Sequence, residues 1–374
     1  MAIFSRSRLV AAATALCAFA ASAPAAEPLI AVGGSQSLAM TADGAVWVWG
    51  YRGQGEVGAG AAMTRPGKVA KLRDLAAASL SSQYHFLALG ADGTVRAWGW
   101  NFYGQLGDGT LADRLAPAKI QGLENIVRIA AGGDFSLALT ADGVVWSWGR
   151  NQWGQLGDGS TETRLAPVRV SIVRGIRAIA AGFTDAFAIA TDGSVWTWGH
   201  SYAEPIVDTR PRPQKISGLK SVVAIASGGE HALALISDGH VRAWGLNAGG
   251  RLGDGSETLR ADPVPVKALD DVIAIAAGRY HSLALRRDGT VWAWGGNDDG
   301  QLGDGSRADR LVPAKIQGLE NIVRIAAGGY HSLALGADGS VWSWGGNDAG
   351  QLGDGTTQDR ERPTRVRGFS WQAP

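Results

Sequence analysis

Four histidines occupy one position of an internal repeat, and imidazole nitrogens are common metal ligands. They are His85, His231, His281 and His331. A ring of such residues around an axis could bind a metal, but no third ligand lies close in sequence to His281 or His331. The other three copies of the repeat carry Gln36, Phe135 and Asp185 at this position. Because a residue that recurs at one structural position usually caps a loop by hydrogen bonding, we predict structural histidines, no metal and no cofactor.

A second regular spacing joins acids to bases. Five aspartates in LGDG segments are each followed by an arginine six residues later: Asp108/Arg114, Asp158/Arg164, Asp254/Arg260, Asp304/Arg310 and Asp354/Arg360. This spacing predicts a bidentate ion pair inside a long loop. The segment Asn297-Asp298-Asp299-Gly300 lacks the alternating ligands and terminal glutamate of a calcium loop, so we predict a solvated turn. No nucleophile beside a base, phosphate loop or fixed pair of carboxylates stands out, which favours a binding module over an enzyme.

Aromatic residues concentrate in loops of the second and third repeats: Tyr84, Trp100, Phe102, Tyr103, Phe135 and Trp153. Exposed aromatic clusters supply the anchors of protein interfaces and sugar platforms, so we predict that this group binds a macromolecule, with protein as the expected class. The open alternative is that several rings fold inward and pad the loop. Tyr280 and Tyr330, near the acidic loops of the sixth and seventh repeats, are further interaction candidates.

The elements that position these residues follow from a repeat of about 50 residues. An Asp-Gly pair followed by a Trp-Gly pair occurs seven times, and successive Trp-Gly pairs are 49, 50, 50, 46, 50 and 50 residues apart. Such a period indicates an array of supersecondary units. The fourth copy is shorter and replaces NxxGQLGDG with the sequence from Tyr202 to Asp208, so its loop should differ from the others.

Each repeat predicts four short strands. In the last copy these are Ile322–Ala326, a strand with Leu333 and Leu335 on one face, Val341–Trp344, and a strand that starts after Pro363. Proline at its start marks the fourth strand as the outermost. The Asp-Gly pair between the second and third strands predicts a tight primed turn with positive φ at both central residues.

We therefore predict an all-β fold, a seven-bladed β-propeller of four-stranded antiparallel blades. The loops between strands one and two and between strands three and four emerge on the same face of the disc, which we call the variable face. It carries the aromatic candidates. Paired indoles two residues apart on the third strand are predicted to be core: Trp146/Trp148, Trp196/Trp198, Trp292/Trp294 and Trp342/Trp344.

The first residues do not belong to the repeats. Arg6 and Arg8 precede an apolar run from Leu9 to Ala21 and small residues with an Ala-Pro-Ala pattern, so we predict a signal peptide over residues 1–25 and a single propeller over residues 26–374. An uncleaved membrane anchor is the alternative, but the run is short for a membrane span. Without these two arginines, the 35 Lys and Arg become 33 against 34 Asp and Glu, a charge of −1 that indicates no nucleic-acid partner.

The blocks AAGGxHSLAL, DGxVWxWGxN and GQLGDG, in this order and spacing, resemble the repeat of the regulator of chromosome condensation family. The resemblance covers nearly all of the chain after residue 25. It implies a seven-bladed propeller that is closed by pairing of the N- and C-terminal strands. Members of this family include a nuclear guanine nucleotide exchange factor, a plant ultraviolet-B photoreceptor and secreted inhibitors of β-lactamases, so the resemblance alone assigns no activity.

The function that these features favour is a secreted or periplasmic scaffold, monomeric and not inserted in a membrane, that binds a protein partner through one face. Two alternatives remain open. One is a hydrolase or lyase with its site at the mouth of the central channel, and the other is a guanine nucleotide exchange factor, implied by the resemblance. An exported chain without a basic tail argues against nucleotide exchange.

Overall fold

The structure is a computed structural model that describes residues 29–41, 44–51, 63–69, 72, 75–81, 84–170, 174–201 and 208–368. These parts form 28 β-strands and one 3₁₀ helix, Ala248–Gly250. The expected signal peptide, residues 1–25, lies outside the described residues, as does the segment 202–207 of the divergent fourth repeat.

The strands form seven sheets of four strands each, and in every sheet the strands are adjacent in the order in which they occur in the chain. Blade 1 contains β1 (Leu29–Val32), β2 (Gln36–Met40), β3 (Val46–Gly50) and β4 (Met63–Lys68). Blade 2 contains β5 (Leu75–Leu80), β6 (His85–Gly90), β7 (Val95–Gly99) and β8 (Arg114–Lys119). Blade 3 contains β9 (Ile126–Ala131), β10 (Phe135–Thr140), β11 (Val145–Gly149) and β12 (Arg164–Arg169).

The other four blades follow the same plan. Blade 4 contains β13 (Ile176–Ala181), β14 (Asp185–Ala190), β15 (Val195–Ser201) and β16 (Asp208–Lys215). Blade 5 contains β17 (Val222–Ser227), β18 (His231–Ile236), β19 (Val241–Gly245) and β20 (Arg260–Pro265). Blade 6 contains β21 (Val272–Ala277), β22 (His281–Arg286), β23 (Val291–Gly295) and β24 (Arg310–Lys315). Blade 7 contains β25 (Ile322–Ala327), β26 (His331–Gly336), β27 (Val341–Gly345) and β28 (Arg360–Arg365). All pairings are antiparallel, as in β25 to β28, so the predicted fold class is confirmed.

The second strand of each blade is buried on both faces, since it lies between two neighbouring blades. In β26, Ala334 packs in a cluster with blade 6, whereas Leu333 and Leu335 pack in a cluster with blade 1. Alternate residues of a strand point to opposite faces, so a small side chain meets one neighbour and large side chains meet the other. The first strand of each blade lines the central channel with small side chains, including Ala31, Ala130, Ala181, Ala277 and Ala327.

The hairpin turns differ from the expected primed type. Four residues, 337–340, join β26 to β27, and only Gly339 among them has a positive φ, of 79°. The Gly339 amide donates to the carbonyl of Gly336 at 2.9 Å, and Asp338 Oδ1 accepts from the amide of Ser340 at 2.9 Å. Asp338 therefore has a negative φ, and its carboxylate stabilises the loop by accepting a hydrogen bond. Only Gly339 adopts the left-handed conformation.

The fourth strand begins earlier than predicted. β28 starts at Arg360 and contains Pro363 in its interior, rather than starting after it. The strand is the outermost of its blade, and Pro363 lies at an irregularity in the pairing with β27, where it has no partner, so an edge position tolerates its missing N–H. The expectation of an outer fourth strand is confirmed, but its boundary was wrong.

The ring closes by packing between blades. The expected pairing of N- and C-terminal strands is not found among the described residues, where β1–β4 form blade 1 and β25–β28 form blade 7. Instead, the Gly329 amide donates to the carbonyl of Gly33 at 3.1 Å, and the Gly355 amide donates to that of Thr64 at 2.8 Å. Apolar side chains of both blades share one buried cluster. Complete blades can close the ring in this way because blades 7 and 1 pack through the same contacts as other neighbouring blades, including a histidine–serine pair.

Candidate binding surface on the variable face

The recurring histidines connect adjacent blades. The imidazole Nε2 of each lies 2.8 or 2.9 Å from the hydroxyl of a serine on the next blade, in the pairs His85/Ser136, His231/Ser282, His281/Ser332 and His331/Ser37. Each serine also bonds to a backbone carbonyl in the long loop of the histidine's own blade, as Ser136 does to Gln105 at 2.8 Å. The predicted hydrogen-bonding role is correct in kind, but the bond crosses a blade boundary instead of capping a loop.

The hydrogen-bond geometry determines the histidine tautomer. Ser136 has one hydroxyl hydrogen and donates it to the carbonyl of Gln105, so His85 Nε2 must donate to the serine oxygen. Nδ1 is then unprotonated and buried without a hydrogen-bond partner. Burial lowers the pKa of His85, His281 and His331 to about 3, so these rings are neutral at physiological pH. Their role is to hold the blades together beneath the loops.

The sequence contains a signal for these contacts that was not used in the prediction. Each histidine is matched by a serine one repeat later. The three blades without histidine carry Gln36, Phe135 and Asp185, and the matching positions on the next blades are Phe86, Ala186 and Ala232. Histidine and serine thus occur together or not at all, as expected for two side chains that meet at a blade boundary.

The long loop between the third and fourth strands is held by an ion pair and a buried amide. The predicted aspartate–arginine pairs are all present, for example Asp158/Arg164 at 2.9 Å and Asp254/Arg260 at 2.8 Å. In these two pairs arginine Nε bonds to a single carboxylate oxygen, rather than forming the expected bidentate fork. Burial would raise the pKa of Asp158, but hydrogen bonds from Ser160 and the charge of Arg164 hold it below the ordinary value.

A buried asparagine organises the start of the same loop. Asn151 is fully buried, accepts from the Leu156 amide at 2.9 Å and donates to the carbonyls of Ser160 and Glu162 at 3.1 and 3.0 Å. Asn101, Asn247, Asn297 and Asn347 repeat this arrangement. The loops are therefore rigid supports for the residues that they expose.

The long loops also cover the indoles of the next blade. Trp148 Nε1 donates to the carbonyl of Gln105 at 2.8 Å, and a Cβ at Gly107 would lie 2.7 Å from that nitrogen, so only glycine fits there. Trp198, Trp294 and Trp344 make the same bond to a loop carbonyl. The second indole of each predicted pair is indeed core. The first, such as Trp146, packs against the same cluster but is only partly buried, so the prediction of a core residue was wrong for it.

On this support, three aromatic rings of blades 1 and 2 form a cluster. The ring centroids of Tyr51 and Tyr84 are 4.8 Å apart, and those of Tyr84 and Trp100 are 5.9 Å apart in an edge-on arrangement. Tyr51 and Trp100 are 41% and 37% exposed. Tyr84 adopts a positive φ of 67°, a conformation that bulky residues rarely adopt. The backbone thus presents the Tyr84 ring to its neighbours at a cost in conformational energy.

A second cluster extends toward blade 3. Phe102 is 70% exposed and packs edge-on against Tyr103, with centroids 4.9 Å apart. Arg150 lies over the Tyr103 ring at 4.5 Å and forms an ion pair with Asp134 at 3.0 Å. Burial raises the pKa of Asp134, against the opposing effect of Arg150. The sequence prediction missed Arg150, which connects the loops of blades 2 and 3.

The remaining candidates have different surroundings. Trp153 is partly buried and packs edge-on against His200 of blade 4, with centroids 4.7 Å apart. Phe135 is fully buried and cannot be an interaction residue, because it occupies the histidine position and packs in the core between blades 3 and 4. For Phe135 the inward-folding alternative is correct. We call the set Tyr51, Tyr84, Trp100, Phe102, Tyr103, Arg150 and Trp153 the aromatic surface.

Tyr280 and Tyr330 form a separate group on blades 6 and 7. Their ring centroids are 5.6 Å apart, and both rings are partly buried. The guanidinium of Arg279 lies 5.2 Å from the Tyr280 ring and 5.9 Å from that of Phe183, at the mouth of the central channel. Both tyrosines are less exposed than Trp100 and Phe102, and two arginines lie over the Tyr280 ring, so this pair offers less open apolar surface.

The acidic loops of blades 6 and 7 contain local ion pairs. Arg307 bonds to Asp359 and Glu361, each at 3.0 Å. Burial raises the pKa of Asp299, and the charges of Asp359 and Asp298 act in the same direction.

No group of three or more potential metal-ligating side chains is found in the described parts of the chain. Among the described residues, no helix has the length and apolar character needed to span a membrane.

Comparisons with known proteins agree with this architecture. Residues 92–139 and 142–189 match the family model of the regulator of chromosome condensation (RCC1) repeat, and residues 203–373 match the model of the RCC1-like domain. A further RCC1 repeat model matches residues 126–155. No curated protein sequence matches the chain significantly.

Solved structures with the same fold include proteins that bind other proteins. Prp20p from Saccharomyces cerevisiae, whose structure is described with its binding to Gsp1p and histones, is 26% identical, with a TM-score of 0.75 over 86% of this chain and 85% of its own. Yeast RCC1 (Prp20) bound to Kap60 is 24% identical, with a TM-score of 0.75 over 97% and 91% of the two chains. Human WBSCR16 is 24% identical, with a TM-score of 0.76 over 86% and 93%. The chain is thus a seven-bladed propeller built from repeats of the regulator of chromosome condensation family.

Proposed function

We propose that this propeller is a scaffold that binds a protein partner through the aromatic surface of its variable face. The observation that carries the proposal is the exposure of Trp100 and Phe102 at a loop that buried hydrogen bonds and an ion pair hold in place. Phe102 follows Asn101, whose buried side chain donates to the carbonyls of Thr110 and Ala112 and accepts from the Leu106 amide. Rings held in place lose little conformational freedom on binding, which is a property of interface anchors.

The composition of the surface also fits a protein partner. Tyrosine, tryptophan and arginine are the side chains that dominate interface energetics, and here Arg150 lies among aromatic rings. At the positions of Phe102 and Trp153, other repeats carry Asp298, Asp348 and Ala349, so the fold itself does not require aromatic residues there. Prp20p, a relative with the same fold, binds the proteins Gsp1p and histones, which supports protein binding as the class of function.

We further propose that the protein acts outside the cytoplasm, secreted or in the periplasm, after removal of residues 1–25. The basis is the sequence pattern of Arg6, Arg8 and the following apolar run. A partner should accordingly be sought in the native envelope or medium.

The test compares partner capture by three forms of the mature chain. The wild type, Trp100→Ala/Phe102→Ala and the control Leu311→Ala are used as bait, and bound proteins are quantified by mass spectrometry. Leu311 is a matched control, because it is 37% exposed, as is Trp100, but lies on the outer strand of blade 6. We expect a partner that the wild type and the control retain and the double variant loses.

The affinity of the isolated partner then measures the contribution of the anchors. Each removed anchor should cost on the order of 2 kcal/mol in binding free energy, whereas exposed substitutions should change stability by about 0.5 kcal/mol or less. Equal affinity in a folded Trp100→Ala/Phe102→Ala protein would contradict the proposal and direct attention to Tyr280 and Tyr330.

A further inference from the structure

The boundary between blades 4 and 5 is built differently from its neighbours. Asp185 and Ala232 stand where four other boundaries have a histidine and a serine. Trp244 is partly exposed, whereas the corresponding indoles on the other six blades are at most 2% exposed. No described residue accepts a hydrogen bond from its Nε1. The histidine–serine pair and the indole–carbonyl bond that occur at several other boundaries are therefore not found between the described residues of blades 4 and 5.

The fourth repeat also differs in sequence at this boundary. Elsewhere a leucine of the LGDG segment packs with the indole of the following blade, as Leu156 does with Trp198 and Leu252 with Trp294. The fourth repeat has no LGDG segment, and the cluster that contains Trp244 includes no leucine of this kind among the described residues. Ala232 is also smaller than the serine that occupies this position on four other blades.

A cavity of about 240 Å³ occupies this boundary. Asp185, Phe187 and Trp244 line it, together with His200 and Glu230 from the loops of the variable face. Drug-sized sites usually measure about 300–1,000 Å³, so this cavity suits a smaller molecule. Its position beside His200 places it next to Trp153, at one end of the aromatic surface.

Asp185 is the polar group that most clearly calls for a ligand. It is 6% exposed, and the Ser227 hydroxyl donates to one of its oxygens at 3.2 Å. The same hydroxyl lies 3.5 Å from the other oxygen, and the Asp185 backbone N–H also bonds to the carboxylate. A carboxylate has about four acceptor positions, so these two donors leave capacity for a further one. Burial raises its pKa to about 7, against the effects of Ser227 and Arg210. A buried carboxyl of this kind gains from a hydroxyl group that can both donate and accept.

The charges around the cavity indicate a neutral ligand. Three acids line it, Asp185, Glu230 and Asp262, and three strong bases, Arg210, Lys215 and Arg260. A free anion would meet the acids and a free cation would meet the bases, so neither gains from the overall field. Trp244 and Phe187, in edge-on contact with centroids 6.0 Å apart, add an apolar wall. The combination suits an uncharged ring with hydroxyl groups and an apolar C–H face.

We propose that the cavity between blades 4 and 5 is a binding site for a monosaccharide unit, packed against Trp244 and hydrogen-bonded by Asp185 and Glu230. This site adjoins Trp153, but none of its lining residues belongs to the aromatic surface. The two proposals can fail independently, because the sugar site should be unaffected by Trp100→Ala/Phe102→Ala.

The test is a titration of the mature protein with D-glucose, D-galactose and N-acetyl-D-glucosamine, followed by ligand-observed saturation-transfer NMR. Inorganic phosphate and L-lysine serve as charged probes of similar size. We expect saturable binding of at least one sugar in the millimolar range, about −4 kcal/mol, and none of phosphate or lysine. The absence of saturation by all three sugars, or saturation by a charged probe in competition with them, would overturn the proposal.

A second experiment tests whether the sugar binds in this cavity, by introducing the histidine–serine pair found at four other boundaries. Asp185→His/Ala232→Ser installs the histidine–serine pair and fills the space, so sugar affinity should fall about tenfold or more while the melting temperature is maintained. Asp185→Asn is the second variant if the double variant does not fold, and it should also weaken binding. Trp292→Phe, which alters a partly buried indole on blade 6, is the control and should bind as the wild type does. Undiminished sugar binding in a folded variant at Asp185 would refute the assignment.

Discussion

Replacing one histidine–serine pair should change how the stability of the propeller depends on pH. The variant is His85→Phe/Ser136→Ala, which copies the Phe135/Ala186 pair already present between blades 3 and 4. His85 is fully buried and neutral, and burial lowers its pKa to about 3, compared with 6.5 for an ordinary histidine. Between these values the unfolded chain binds a proton at this residue that the folded protein does not bind. Stability therefore falls as the pH decreases below 6.5.

The magnitude follows from the width of this window. Each pH unit below 6.5 removes about 1.4 kcal/mol of stability for each such histidine, so His85 alone accounts for a loss of about 2 kcal/mol between pH 7 and pH 5. His231, His281 and His331 act in the same direction. Asp185 acts against them, because its raised pKa makes the folded protein bind the extra proton between 3.8 and about 7. The difference between variant and wild type isolates the contribution of His85 from these other groups.

The assay is urea unfolding at pH 7, 6 and 5. For each protein, the quantity compared is the slope of the free energy of unfolding against pH, not its absolute value. We expect the variant to lose about 2 kcal/mol less than the wild type over this range. Trp100→Ala, which changes no titrating group, is the control and should keep the wild-type slope. Parallel slopes for variant and wild type would show that His85 is not held neutral by burial, and the argument would be wrong.

Three further predictions concern the core, the end of the chain and its beginning. Trp148→Ala should reduce the free energy of unfolding by about 3–5 kcal/mol, because the indole is fully buried and bonded to a loop carbonyl. Trp146→Ala should cost clearly less in the same denaturation experiment, since that indole is partly exposed. Deletion of residues 363–374 removes half of the outer strand of blade 7 and the buried Val366, so it should lower the thermal midpoint, and an unchanged midpoint would contradict this structural role. Mass spectrometry of protein secreted by a native host should find an N-terminus near Ala26 without lipid, and a soluble cytoplasmic form that begins at Met1 would contradict the localisation.

Features that depend on residues close in sequence could be predicted from the sequence. Each of the seven blades is formed by one repeat, and the four strands and the aspartate–arginine ion pair of a blade lie within that repeat. Periodicity reports such contacts directly, because the same spacing must recur in every copy. Even so, the hairpin turn was assigned to the wrong type. The Asp-Gly pair is compatible with several turns, and only the hydrogen bonds of Asp338 and Gly339 distinguish them.

Features that depend on contacts between repeats were decided by the tertiary structure. His85 and Ser136 are 51 residues apart, and Phe135 is buried because its position faces the next blade. Aromatic residues in loop sequences look alike whether they point outward, as Phe102 does, or into a blade boundary, as Phe135 does. The boundary between blades 4 and 5 shows the same limit, since the lining of its cavity combines residues of two repeats, such as Asp185 and Trp244. Sequence periodicity identifies the repeated unit, but only packing between units determines which side chains remain available to bind a partner.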